Sequence, residues 1–320
     1  MSYDILVTGG SGFIGSYLVE RLVEADHNVT VFDNDSRPDT GGPGDFDDEV
    51  RKITGDVRDK QAILDLPPAD YVFHLAAING TKNFYEMPYD VIDVNTRGVQ
   101  NILVYAAEAS PERVLFASSS EVYGFPTKFP TGEEHVLQLM DPENPRYSYA
   151  ASKIAGEVYT INAARNSSFD YTIVRPHNIY GPRMGYDHVI PEFIEQIVAD
   201  EEFTIYGDGD QTRSFCYITD AIDAIETAAF SDVGANEIFN IGNENEVTIN
   251  GLANELFDIC GEEDVTYITD KELEGSPDRR QPDISKSQRL LDYEPTVPLR
   301  EGLVKTVEWY KRDIRERTDG

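Results

Sequence analysis

The stretch Thr8-Gly9-Gly10-Ser11-Gly12-Phe13-Ile14-Gly15 constrains this chain more than any other, because it joins an apolar strand directly to a helix. Ahead of it, Ile5-Leu6-Val7 is a short run suited to a strand buried on both faces. Behind it, Ile14, Leu18, Leu22 and Val23 recur at helical spacing. Gly9, Gly12 and Gly15 then have separate uses. The first permits a sharp turn, the second lets a pyrophosphate approach the main chain, and the third lets helix and strand pack closely. The helix N-terminus offers unpaired N–H groups and a positive dipole end to phosphates. Taken alone, the pattern also describes a tight strand-to-helix turn. The next strand, Asn28 to Phe32, runs into Asp33. That acid lies about 20 residues past the glycines, where a carboxylate accepts hydrogen bonds from an adenosine ribose. Together these features predict a dinucleotide site. Asp33 would repel a 2′-phosphate, so the site should prefer NAD to NADP, with Arg37 as the nearby opposing charge.

With 320 residues the chain can build one large core and a smaller domain. No apolar stretch approaches membrane-spanning length, and the first strand begins without a signal peptide. Cys216 and Cys260 form neither a disulfide framework nor a metal-ligand spacing, and the expected location is the cytosol. Acidic residues number 59 against 27 Lys plus Arg, a net charge of −32. Such a field excludes nucleic acid as a partner and repels anionic membranes. It also repels an anionic ligand at long range, so a nucleotide site must gather its cations locally. The scattered acids suggest a surface adapted to high salt, where screening shortens self-repulsion.

Alternating strands and helices predict an α/β fold, a Rossmann-type doubly wound parallel sheet. Further strands are expected at Arg51–Thr54, Tyr71–Leu75, Arg113–Ala117 and Tyr171–Val174. Helices are expected at Asp59–Leu66, Val91–Ala109 and Tyr149–Ala164, and a polar loop at Asn34–Asp48. Past Arg175-Pro176 the elements shorten: helices at Val189–Ala199, Ala221–Ala229, Ile249–Cys260 and Leu299–Arg315, and strands at Phe203–Tyr206 and Phe215–Ile218. Residues 1–176 are thus expected to form the nucleotide domain and 177–320 a smaller α/β substrate domain, some of whose elements return to the first.

Tyr149 and Lys153 stand at i and i+4, neighbours on one helix face. A tyrosine at its usual pKa near 10 is a poor base at neutral pH. A nearby ammonium stabilises the phenolate, and lowering the pKa by about 3 units takes about 4 kcal/mol. Alone, the pair would be an ordinary amphipathic motif; beside the glycine loop it suggests catalysis. Ser118-Ser119-Ser120-Glu121 follows a strand, at the carboxyl edge where such folds bind ligands. One hydroxyl there can bond an alcohol being oxidised, although serines also serve as helix caps. His74, His177 and His188 have no metal-site spacing and read as structural.

Together the glycine loop, Asp33, Tyr149-x-x-x-Lys153 and the Ser-rich strand end resemble the extended short-chain dehydrogenase/reductase family, and within it the NAD-dependent nucleotide-sugar epimerases, dehydratases and decarboxylases. The resemblance implies cofactor contacts at Gly9, Gly12, Phe13, Ile14, Gly15, Asp33, Asp56, Val57, Leu75, Ala76, Ala77, Tyr149 and Lys153. Asp56 and Val57 would flank the adenine, and Asn95 matches the family's structural Asn. It implies transient oxidation of a sugar hydroxyl at C4, with Tyr149 as base, Lys153 steadying the phenolate, Ser119 orienting the oxygen and Glu121 as acid or base in later steps. It also implies a nucleotide-diphosphate sugar held by Ser119, Asn178, Arg183, Arg213 and Arg280, no metal, and a homodimer formed through the helices at Val91–Ala109 and Tyr149–Ala164. Each of the three arginines would otherwise be a surface ion-pair residue.

Ser119-Ser120-Glu121 resembles UDP-glucuronate decarboxylases and GDP-mannose dehydratases; the segment Gln211–Tyr217 and Arg279-Arg280-Gln281-Pro282-Asp283 resemble the decarboxylases, in which the arginine of the last motif helps hold the sugar carboxylate, a role the resemblance implies for Arg280. His177-Asn178, Ile78–Thr81 and Gly185–Pro191 depart from that branch, leaving a 4-epimerase or a dehydratase open. A simple reductase and a non-catalytic dinucleotide-binding protein are the remaining alternatives.

Overall fold

The computed structural model describes residues 2–36, 49–199, 202–262, 267–270 and 275–319. Arg37 and most of the expected polar loop lie outside the described residues. In chain order the first half holds β1 (Asp4–Thr8), α1 (Phe13–Glu24), β2 (Asn28–Asp33), β3 (Val50–Thr54), α2 (Lys60–Leu64), β4 (Tyr71–His74), α3 (Thr81–Glu86), α4 (Pro88–Ala109), β5 (Arg113–Ala117), a 3-10 turn (Ser120–Tyr123), α5 (Tyr147–Arg165) and β6 (Asp170–Pro176). The second half holds β7 (Ile179–Tyr180), α6 (Val189–Val198), β8 (Phe203–Tyr206), β9 (Thr212–Ser214), β10 (Cys216–Tyr217), α7 (Ile218–Phe230), β11 (Glu237–Ile241), β12 (Glu246–Thr248), α8 (Ile249–Cys260), β13 (Tyr267–Asp270), β14 (Arg279–Arg280), α9 (Ser285–Leu291) and α10 (Leu299–Asp319).

Seven parallel strands form the central sheet in the order β11-β6-β5-β4-β1-β2-β3. Its middle strands are buried on both faces; Ile5, Leu6, Val7 and Thr8 are at most 1% exposed, which is why no polar alternation was visible there. From β1 the chain goes first to β2 and β3, then returns to β4 on the other side. That reversal opens a crevice beyond the carboxyl ends of β1 and β4, the usual ligand position in such sheets.

Two apolar layers cover the sheet. One, with Phe32, Val72, Ile102 and Phe116, lies under α2, α4 and α5. The other runs without a break from Val7 and Leu18 through Ile222 and Phe239 to Tyr310. The chain therefore crosses back: α7 packs on α1, and β11 pairs with β6 after a long excursion. The C-terminal lobe proper holds the small sheet β12-β9-β14, the pair β13-β8, and α6, α8 and α10 packed together.

Several boundaries differ from the expected ones for local reasons. The helix expected from Val91 begins at Pro88, a residue whose fixed φ suits a first helical position. The strand expected over Phe215–Ile218 is only Cys216–Tyr217, because Ile218 already opens α7. β11 and α3 have no counterpart among the expected elements, and neither do β7, β9, β12, β13, β14 and α9. All are short, and β11 is a strand only because β6 offers it an edge.

Candidate active site

A single cleft of about 2210 Å³ runs along the crevice and between the lobes. It is larger than a typical small-molecule pocket of roughly 300–1,000 Å³.

At the β1 end, Gly9 adopts φ +76° and its N–H bonds the Phe32 carbonyl at 3.0 Å. A Cβ on Gly9 would lie 2.6 Å from the Ala76 nitrogen. One on Gly15 would lie 2.1 Å from the Gly9 oxygen. Glycine at these positions lets the loop fold flat against the β4 end, with Leu75, Ala76 and Ala77 lining the cleft beside it. No side chain caps α1, so the N–H groups of Phe13, Ile14 and Gly15 point toward the cleft with the helix dipole behind them. This cradle fits a dinucleotide pyrophosphate.

At the end of β2, Asp33 accepts from the Ser11 N–H at 3.0 Å through Oδ2 and from the Asp35 N–H at 2.9 Å through Oδ1. Those bonds fix the carboxylate and leave acceptor sites for ribose hydroxyls. Asp56 differs from its expected role. Its carboxylate is chelated by the Arg58 guanidinium, with 2.6 Å from Nη2, and that pairing lowers its pKa. Val57 and Arg58 line the cleft, while Asp56 positions Arg58. His74 lies buried beneath the loop with Nδ1 2.7 Å from the Thr8 hydroxyl, and burial pushes it down to about 3, so it stays neutral. His177 is held to Asn240 in the same neutral way.

Tyr149 and Lys153 meet in the middle of the cleft. The Tyr149 ring stacks on Phe84 of α3, with centroids 4.9 Å apart. Lys153 Nζ donates to the Ala117 carbonyl at 2.7 Å and sits 5.6 Å from the Tyr149 ring centroid. Burial draws the ammonium down to about 7, against the opposing charge of Glu157 one turn on. Asn95 fastens this helix to the β4 loop, bonding the Ile78 N–H at 2.8 Å and the Ser152 hydroxyl at 3.0 Å. Of the serine run, Ser118 donates to Glu157 at 2.5 Å, while the Ser119 oxygen accepts the Glu121 N–H at 3.1 Å and keeps its own proton to donate. Glu157 is bound in turn by Arg175 at 2.7 Å, each side chain 3% exposed.

The substrate end gathers cations. β14 runs parallel to β9 with Arg280 opposite Arg213, which brings the two guanidiniums together. Arg280 grips both oxygens of Glu121 at 2.6 and 2.7 Å, and Arg146 stands 3.6 Å from one of them. Arg213 bonds the Thr212 carbonyl at 2.8 Å and the Ser276 hydroxyl at 3.1 Å. Burial and the like charges of Arg280 and Arg146 pull it down to about 9. Asn178, in a left-handed turn at φ +42°, donates to the Ser214 carbonyl at 3.0 Å and lines the same wall.

One expected role changes here and one narrows. Arg183 is not brought to the cleft; it forms a bidentate pair with Glu20 of α1 at 2.6 and 3.0 Å and lies over the Tyr17 ring. Of the acid or base role expected of Glu121, a carboxylate held ionised fits the base. Burial alone would raise its carboxyl, but Arg280, then Arg146 and Arg213, outweigh burial and hold it at about 2. A depressed carboxyl stabilises the fold above its unfolded pKa, near 4.3, and loses that contribution as pH falls toward 2. Wild type should therefore lose about 2–3 kcal/mol more than Glu121→Gln between pH 6 and pH 2.5 in urea unfolding. Parallel curves for the two proteins would refute this.

Sequence reading missed Arg146 and Glu157. The signal was spacing: Arg146 lies three residues before Tyr149, and Glu157 four after Lys153, on the same helix.

The sequence model of the "NAD dependent epimerase/dehydratase family" matches residues 5–242. The chain is 35% identical to a UDP-N-acetyl-alpha-D-glucosaminuronate decarboxylase of Bacillus cytotoxicus, over 97% of this chain and 98% of that one. It is also 35% identical to a putative UDP-glucose 4-epimerase of Methanocaldococcus jannaschii, over 97% and 99%. Among solved structures, it superposes on the UDP-glucose 4-epimerase of Thermotoga maritima, determined with UDP-glucose, with a TM-score of 0.89 and 31% identity, covering 97% of this chain and 99% of that one.

Proposed function

Because this chain belongs to the NAD dependent epimerase/dehydratase family, we propose that it decarboxylates a nucleotide-diphosphate uronate through a transient 4-keto sugar. The observation that carries this reading is the Glu121–Arg280 pair lining the same cleft as Tyr149, within a cluster of three guanidiniums and one carboxylate. Arg213 and Asn178 suit the diphosphate. Cationic charge then remains for a second anion on the sugar, in a chain whose net charge of −32 would otherwise repel it.

Bound NAD supplies the two-electron acceptor for C4 and returns the electrons at the end of the cycle. Tyr149 takes the C4 hydroxyl proton, and Lys153 stabilises the phenolate. Ser119 donates to the C4 oxygen and holds it in line. Once C4 is a ketone, the C5–C6 bond is β to the carbonyl, so carbon dioxide leaves as its electrons move onto the C4 oxygen. Ser119 and the now protonated Tyr149 stabilise that oxygen. Glu121, being ionised, acts as the counter-ion that keeps Arg280 in place, and water entering the cleft supplies the proton that C5 takes up as the enolate returns to the ketone.

Incubation with NAD and UDP-glucuronate, UDP-N-acetylglucosaminuronate or UDP-glucose, followed by mass spectrometry, tests the reading. Loss of carbon dioxide from a uronate is the expected result. Unchanged mass with a new chromatographic peak would replace it with 4-epimerisation. The exposed Tyr89 and Ile92 on α4 and Val158 and Tyr159 on α5 support a homodimer through these helices. The excess of acid supports function at high salt.

A further inference from the structure

We propose that Arg146, which none of the comparisons singles out, is the residue that selects a carboxylate at C6 of the sugar. This rests on the uronate reading above and assigns its selectivity to one side chain. The three guanidiniums of the cluster are not equivalent. Arg280 spends one N–H of each Nη on Glu121, and Arg213 spends its Nη groups on Thr212, Asp278 and Ser276. Arg146 is 7% exposed, yet among the described residues its Nε and Nη1 have no hydrogen-bond partner, and its one ionic contact there is the 3.6 Å approach of Nη2 to Glu121. A buried cation with unmatched N–H groups on a cleft wall costs stability unless an acceptor arrives with the ligand.

Position decides which acceptor. Arg146 precedes Tyr149 by three residues at the start of the same helix, so the two side chains leave one helix face and line the same cleft. In a pyranose, C6 branches from C5, next to C4, whereas the diphosphate hangs from C1 across the ring. A cation on the Tyr149 side of the cleft that also approaches Glu121 is therefore placed for the C6 substituent rather than the diphosphate. The backbone of Gly275 lies against the Arg146 stem, where a Cβ would come 3.2 Å from Cδ, and this packing holds the guanidinium in place.

The test uses the full chain carrying Tyr149→Phe to stop turnover, saturated with NAD. Calorimetric titrations with UDP-glucuronate, UDP-glucose and UDP are compared with and without Arg146→Met. The added substitution should weaken UDP-glucuronate by about tenfold to a hundredfold, as expected for a charge-assisted contact, and change UDP-glucose and UDP by less than about threefold. Arg146→Lys should recover part of the loss. Equal losses for all three ligands would assign Arg146 to the diphosphate or the fold, and no loss for any would remove it from the site; either overturns the proposal. A parent protein that binds UDP-glucuronate no tighter than UDP-glucose would refute the uronate reading and this inference with it. A parent that discriminates while the Arg146 variant still does would leave the uronate reading intact and reject the inference alone. Should Arg146→Met fail to fold, Arg146→Lys carries the test, with an undiminished preference for UDP-glucuronate as the refuting result.

Discussion

Tyr149→Phe should lower kcat by about 10³-fold while NAD still binds within about threefold of wild type. The substitution removes one oxygen and keeps the ring, so the stack on Phe84 and the packing of α3 against α5 persist. Lys153 keeps its bond to the Ala117 carbonyl, and the glycine cradle is untouched. What disappears is the only group on this helix face able to take the C4 proton with an ammonium beside it. Lys153 cannot substitute: its nitrogen is directed to the β5 end, and it serves the phenolate only while protonated. Quantified product from a defined nucleotide sugar, with NAD binding followed separately, separates chemistry from cofactor affinity. Turnover near the wild-type rate would remove Tyr149 from the mechanism.

Glu157→Ala should cost about 3–5 kcal/mol of stability, because it leaves a buried guanidinium without its counter-charge. Arg175 would retain only the Tyr123 hydroxyl and the Glu133 carbonyl, at 2.8 and 3.1 Å, neither of which neutralises it. Ser118 would lose its acceptor in the same step. Against a total stability of roughly 5–15 kcal/mol, such a loss is visible in any denaturant titration. Replacing both partners, Glu157→Leu with Arg175→Met, should cost much less than the single change, since no charge is then stranded. A loss below about 1 kcal/mol for Glu157→Ala would mean that water reaches the pair and solvates it. The pair also matters to the site. It anchors the β5 end that carries Ser119, and its carboxylate opposes the effect of burial on Lys153.

The elements that position the cofactor were legible because each announces itself locally. The turn after β1 needs glycines at set intervals, the buried strands need apolar runs, and α5 shows Tyr149 and Lys153 one turn apart in plain sequence. The substrate end was legible in residue types but not in roles. Arg183 and Arg213 read as phosphate ligands and Arg280 as a ligand of phosphate or of a sugar carboxylate, since a guanidinium's preference for anions is the same wherever it lies. The fold then separates them. Pairing of β14 with β9 sets Arg280 beside Arg213 and over Glu121, while a left-handed turn at Arg183 directs it to Glu20.

By itself, the sequence determined the doubly wound sheet, the dinucleotide cradle and the Tyr149–Lys153 pair, because each shows in a local pattern: alternating strand and helix runs, glycine spacing and two residues one helical turn apart. Only the tertiary structure decided the protonation state of Glu121, the identity of Arg146 as part of the cluster and the return of β11 to the central sheet. Each of those rests on groups distant in sequence, Arg280 lying 159 residues from Glu121. Electrostatic energies depend on separation and burial in space, and neither is encoded in any local spacing of the chain.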